Sequence, residues 1–274
     1  MRAAWVFVCC LGASLITTGA NADDATDALF RDGVAALESG RPIQAIATFE
    51  ALADQGVLDP VASYDRALAY AMRVRLDAEI AGDLGRAAHG FEEARALTGD
   101  PALANDSKVA LATLRTEVAR RRAKAGEPIE VDPGVPVFRA ASSLLSEDAW
   151  LLIALLASVV FAIGAFARSG SQARRVRVSG VVAASIASLV LVSSAMLGVL
   201  ARNDRLHLRE AVVVAPSARS CDDHGVAILG VAAIPEAARV ELLGELDGAF
   251  THVRFAKVDT WVPTSTLREI TKGD

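Results

Sequence analysis

Two uncharged apolar runs, Ala149 to Ala167 and Val178 to Ala201, constrain this chain more than any other feature. A helix rises about 1.5 Å per residue, so these runs of 19 and 24 residues each reach across the roughly 30 Å hydrocarbon core of a bilayer. A soluble core helix rarely stays apolar on every face for that length, and the pair therefore predicts a two-helix transmembrane hairpin. Residues 168–177 between the runs carry Arg168, Arg174, Arg175 and Arg177 and no acid. By the positive-inside rule this short basic loop is cytoplasmic, and both flanking segments lie across the membrane from it. Arg202, Arg205 and Arg209 weigh the other way, but Asp204 and Glu210 are interspersed with them. Neither run holds an ionisable residue, so the spans read as an anchor in the lipid bilayer and not as an ion path. Gly164 in the first run and Ser188, Ser193, Ser194 and Gly198 in the second are the expected helix-contact positions.

The first residues give the same orientation. Met1-Arg2 is a positive start, Ala3 to Ile16 is an apolar core short for a span, and Ala20-Asn21-Ala22 is a small-x-small cleavage pattern. Together they predict a secretory signal peptide over residues 1–22, with an uncleaved anchor as the alternative. Cleavage would remove Cys9 and Cys10 and leave Cys221 as the single thiol, so no internal disulfide could form and packing alone would hold the exported parts. Residues 23–148 carry 22 acidic against 14 basic side chains, and residues 202–274 carry 11 against 9. No extramembrane segment is basic, which argues against nucleic acid as a partner.

Residues 23–125 follow a helical period. Leu29, Gly33 and Ala36 precede a turn at Ser39-Gly40-Arg41-Pro42, and Ala45, Phe49 and Leu52 follow it. Small residues at Gly33, Ala36 and Ala45 let two antiparallel helices approach, with Phe49 filling the groove between them. Pro42 suits a first helical turn, where its missing N–H would be unpaired anyway. Tyr64, Ala67 and Tyr70 lie on one face of a helix that starts after Pro60 and is expected to run to about Ile80, before a turn at Gly82-Asp83. Ala87, Phe91 and Ala94 then repeat the spacing of Ala45, Phe49 and Leu52. A last helix from Pro101 to about Lys124 offers Leu103, Val109, Leu111, Leu114 and Val118 to the core, and Arg120-Arg121-Arg122 to solvent at its C-terminal end. This spacing resembles the tetratricopeptide repeat, with Gly33, Ala45, Phe49, Ala87, Phe91 and Ala94 at its packing positions. The resemblance implies an all-α array that grips proteins and performs no catalysis. Residues 126–148, with Pro128, Pro133, Gly134 and Pro136, lack periodicity and read as an extended linker.

After Ala211 the period shortens. Strands are expected over Ala211–Ala215, Val226–Val231, Arg239–Leu243, Thr251–Phe255 and Thr260–Val262, broken by Asp222-Asp223-His224-Gly225, Gly244 and Asp247-Gly248. The elements Val213 to Pro216, Ile234 to Val240, an Asp-Gly turn before Phe250, and Trp261-Val262-Pro263 followed by Leu267 resemble the bacterial SH3 domain over residues 210–270. That resemblance implies a small all-β barrel in which Phe250 and Trp261 pack in the core or at the rim. Ala238 and Thr260 stand where that family usually has glycine.

Catalytic chemistry has little to draw on. His89, His207, His224 and His252 fall singly, without metal-ligand spacing or a partnered nucleophile, and there is no glycine-rich phosphate loop. Asp222-Asp223-His224 is the nearest approach to a cation cluster, and residues of this type in a turn ordinarily serve the turn. The expectation is no catalytic, cofactor or metal site.

The order of signal peptide, helical repeats, two spans at residues 149–167 and 178–201 flanking the basic loop, and SH3-like barrel resembles the BatE family of bacterial aerotolerance systems. That resemblance implies a non-enzymatic scaffold in the inner membrane, its soluble domains periplasmic. The implied partners are von Willebrand A-domain membrane proteins and a MoxR-type ATPase. A peptidoglycan-binding sensor acting through the SH3-like barrel is the competing expectation.

Overall fold

The computed structural model describes residues 24–128, 130–132, 134, 136–170, 173–246 and 248–273. The expected signal peptide, and Pro133 and Asp247 among the expected linker and turn residues, lie outside them. The described chain is mostly helical, with eight helices, two of them long and apolar, and a small antiparallel sheet. It divides into two compact units: residues 1–133 with 209–274, and residues 134–208.

In the first unit, α1 (24–38), α2 (Pro42–Asp54), α3 (Pro60–Arg75), α4 (Asp83–Leu97) and α5 (Pro101–Lys124) pack in sequence. Proline stands at the start of α2, α3 and α5, and the Asp59 and Asp100 side chains cap α3 and α5 by accepting the Ala62 and Ala102 N–H groups. One boundary departs from the sequence expectation, and the turn expected at Gly82-Asp83 falls in place. Helix α3 stops at Arg75, where Leu76 caps it and Asp77 turns left-handed at φ 56°. Helix α4 begins behind Gly82, whose φ of 92° suits a residue without Cβ. Val109 is 58% exposed, whereas Leu111, Leu114 and Val118 are buried as expected.

Strands β1 (Arg209–Val213), β4 (Arg239–Leu242), β5 (Phe250–Phe255), β6 (Val258–Pro263) and β7 (Leu267–Glu269) form one sheet in the order β6-β5-β4-β1-β7, all neighbours antiparallel. A separate two-stranded pair joins β2 (Ser217–Ala218) to β3 (Ile234–Pro235). The strand expected over Val226–Val231 is absent: Ala227 makes one bridge to Cys221, and Val226, Ile228, Leu229 and Val231 point largely into solvent. Apolar side chains there have no second layer to cover them, so the segment stays a loop.

The helical core of this unit draws in residues from the C-terminal part of the chain. Val212 of β1, Ala237 from the turn between β3 and β4 and Ile270 just after β7 belong to the same buried cluster as Phe49, Phe91 and Leu114, and Val131 joins it from the segment expected to be linker. The sheet is therefore no separate domain: helices and strands fold as one body.

The second unit holds α6 (Val137–Ser142), α7 (Glu147–Gly170) and α8 (Arg174–His207). Both long helices are apolar enough to cross a membrane by length and composition. They outrun the apolar runs at both ends, so Arg168 lies on α7 and Arg174, Arg175 and Arg177 lie on α8 instead of in a loop over residues 168–177. Arginine is a good helix former, and continuing the helix costs these residues little. Ala154, Ala157 and Gly164 of α7 are buried, as are Gly180, Ala187, Ser194 and Gly198 of α8. A Cβ on Gly164 would come within 2.8 Å of the Gly180 carbonyl oxygen, and one on Gly180 within 2.8 Å of the Gly164 carbonyl oxygen. Small residues thus let the two backbones touch. Ser193 faces outward, contrary to expectation, and bonds its own helix at the Leu189 carbonyl.

Candidate functional site

The residues singled out by the repeat pattern come together as packing. Ala45, Phe49, Ala87, Phe91 and Ala94 are at most 2% exposed. Gly33 is where α1 meets α2: a Cβ there would lie 2.8 Å from the Phe49 ring. Phe30 meets Phe49 edge-on at 6.2 Å, and Tyr64 meets Phe91 at 5.4 Å.

Sequence reasoning missed a charged seam where strands meet helices. Arg268 of β7 donates two bonds of 3.0 Å to the Glu50 carboxylate on α2. Glu50 also accepts from Tyr70 Oη at 3.0 Å. Arg66, 3% exposed, pairs with Glu93 at 2.6 Å, and Ser63 donates to the same carboxylate oxygen. Burial works to raise the Glu50 carboxyl, yet Arg268 and Arg66 hold it below its ordinary value. Arg73 makes a fork to Asp83, closing the α3–α4 turn. Arg115 of α5 ties Glu92, Asp132 and the Ala237 carbonyl together. Gly82 and Gly85 admit the backbone of Val213 and Val214, where a Cβ would clash. Beside them Glu236 accepts the Gly85 N–H at 2.8 Å. None of these partners shares a local period, so no sequence pattern announces them.

His89 lies in the same seam, 1% exposed. Its Nε2 lies 2.7 Å from the Glu269 carbonyl oxygen, which can only accept, so the proton sits on Nε2. Nδ1 has no hydrogen-bond partner among the described residues. Burial pushes the imidazole down to about 4, which keeps it neutral. The remaining described histidines do not join it. His207 ends α8, His224 is exposed beside Asp223, and His252 stacks on Trp261 at 4.9 Å.

In the sheet, Phe250 packs over Gly225 and holds the 222–225 turn. Trp261 is half-buried, and its backbone exchanges two hydrogen bonds with Cys221. Cys221 is buried, 5% exposed. Asp222, Asp223 and His224 bring their ligand atoms within 4.8 Å of one another. Asp222 Oδ1 accepts the His224 and Val226 N–H groups, and Asp223 bonds His224, so each side chain is engaged in the turn. Arg122, expected in solvent, is 8% exposed and donates to the Pro128 carbonyl, whereas Arg120 and Arg121 pair with Glu117 on the surface.

A face of the helical array is acidic. Asp65 on α3 is pushed up to about 6, first by burial and then by Asp59 and Glu38. Tyr64 beside it is raised by burial and by Asp106 and Asp65. No protein family, no curated protein and no solved structure matches the chain.

Proposed function

We propose that this protein is a non-enzymatic, membrane-anchored adaptor that presents a single helix-and-sheet body on one side of a bilayer. The observation that carries the reading is the shared core. Residues before Pro133 and after Leu208 build one unit, locked by Arg268 to Glu50 and by Glu269 to His89. A chain that crosses a bilayer between them must cross it twice and return. That argument for the hairpin is independent of the arginines, which add the orientation: Arg168, Arg175 and Arg177 toward the cytoplasm and the body away from it.

The paired helices α1 to α5 support a tetratricopeptide-like surface for a protein partner. In the same reading the order of elements remains that of the BatE-like scaffolds, and the partners are membrane proteins of the von Willebrand A-domain class acting with a MoxR-type ATPase. Cross-linking in membranes followed by detergent extraction tests this. Recovery of such membrane proteins with the full chain, and their retention with Cys221→Ala and His224→Ala, is the expected result. Loss of the cellular phenotype in that variant with assembly intact would point instead to chemistry at the 221–224 turn.

One observation favours a second reading. His252 and Trp261 form a half-exposed aromatic stack on the outer face of β5–β6, a surface suited to a sugar ring. Sedimentation with purified cell wall, lost in Trp261→Ala, would support a peptidoglycan-binding sensor.

A further inference from the structure

The segment just ahead of the first long helix is folded, not extended. Helix α6 and the turn after it expose four large apolar side chains: Val137 at 80%, Phe138 at 69%, Leu144 at 76% and Leu145 at 42%. Monomeric soluble surfaces rarely leave such a cluster open. The segment is nonetheless fixed in place. Ser142 is 1% exposed, and its carbonyl accepts the Trp150 indole N–H at 3.0 Å. Arg139 lies 3.5 Å from Asp204 on α8, and Arg205 of α8 reaches Glu147, the first residue of α7, at 2.9 Å.

These polar ties mark a level along the hairpin. Arg139, Glu147, Asp148, Asp204 and Arg205 cannot sit in hydrocarbon, and from Ala149 onward α7 runs apolar. Trp150, with one polar atom on an apolar ring, is of the type that gathers at the boundary of a bilayer. Leu145 lines one surface depression with Glu147, Asp204 and Arg205, so the exposed apolar side chains of α6 and its turn adjoin this boundary.

We propose that residues 137–145 form an interfacial collar: Val137, Phe138, Leu144 and Leu145 insert into the headgroup and upper acyl region of the same leaflet that α7 enters. The occupant of this face is lipid. The collar would fix the depth of the hairpin and the point at which the chain leaves the membrane, as short amphipathic segments do when they lie in the interface plane. The inference rests on the reading of α7 and α8 as spans.

The test uses the full chain in phosphatidylcholine–phosphatidylglycerol vesicles, with Cys9→Ser, Cys10→Ser and Cys221→Ala. Single cysteines at Phe138→Cys, Leu144→Cys and, as a control in the middle of a span, Val190→Cys carry an environment-sensitive fluorophore. Nitroxide-labelled lipid and aqueous iodide serve as quenchers. The expected result is loss of most intensity at 138 and 144 to a shallow nitroxide, a blue-shifted emission, and weak quenching by iodide. Strong iodide quenching at 138 and 144, or quenching by neither agent because protein covers them, overturns the collar if Val190→Cys is quenched by a deep nitroxide. If Val190→Cys itself escapes lipid quenching, the spanning reading fails first and the collar falls with it.

Discussion

Glu236 should make the helix-and-sheet body less stable as pH rises, and its replacement by Gln should remove that loss. The carboxylate sits at the first turn of α4, where the Gly85 N–H and the helix dipole favour the anion. Burial opposes this more strongly, Glu79 and Asp83 add repulsion, and the carboxyl rises from 4.5 to about 7. The folded-state value lies above the unfolded one, so the native protein holds the proton more tightly between those two values. This contribution is fully present below about pH 4.5 and lost as pH climbs through about 7. A tenfold change in proton affinity is worth about 1.4 kcal/mol, which bounds the loss at roughly 3 kcal/mol; residual solvent access brings it toward 2. Glu236→Gln keeps the acceptor for Gly85 and cannot ionise. The variant should therefore match the parent at low pH and exceed it by about 2–3 kcal/mol at high pH. Urea unfolding of a chain joining residues 24–132 to 209–273 through a flexible linker measures this, with Trp261 fluorescence reporting the sheet and circular dichroism the helices. His89 titrates in both proteins and cancels in the difference. A stability gap that does not change with pH, or a variant weaker than the parent at high pH, would refute the reasoning.

Other outcomes follow from the same geometry. Phe49→Ala and Phe91→Ala should each cost about 3–5 kcal/mol in that joined chain, because both rings are almost wholly buried; unchanged melting in both would mean the helix pairing is wrong. A double-mutant cycle on Glu50→Gln and Arg268→Ala should return a coupling of about 1–3 kcal/mol, and coincident helix and sheet transitions in the parent; additive effects would show that the seam does not join them. Gly164→Leu or Gly180→Leu should lower the melting temperature of the full chain in detergent by forcing α7 and α8 apart, whereas Ser193→Leu, on the outer face, should leave it unchanged.

What sequence could supply here was local. Proline at the first turn of three helices, the Gly33–Phe49 complementarity and the two apolar runs each write their structure within a few residues or a fixed period. The strands over Arg239–Leu242 and Phe250–Phe255 alternate buried and outward residues, and alternation is what a half-covered sheet imposes. Val226–Val231 misled because apolar residues without a covering layer do not make a strand. The arginines misled because a charge says which side of a membrane a segment prefers, not whether it is helical. Arg268 and Glu50 are 218 residues apart, and Gly85 and Glu236 are 151 apart. A contact at that separation leaves no period to read, so the union of helices and sheet became visible only in three dimensions.

The account stands on both flanks of the hairpin lying on one side of the membrane, and thiol labelling in intact cells tests that most directly. In the Cys9→Ser, Cys10→Ser, Cys221→Ala background, single cysteines replace Lys108 in the helical array, Lys257 in the turn between β5 and β6, or Arg177 at the basic end of α8. A membrane-impermeant maleimide added from outside, with the outer envelope made permeable, should label positions 108 and 257 alike and reach 177 only after the inner membrane is breached. Labelling of 108 and 257 from opposite sides would contradict the account, because one core cannot be built across a bilayer.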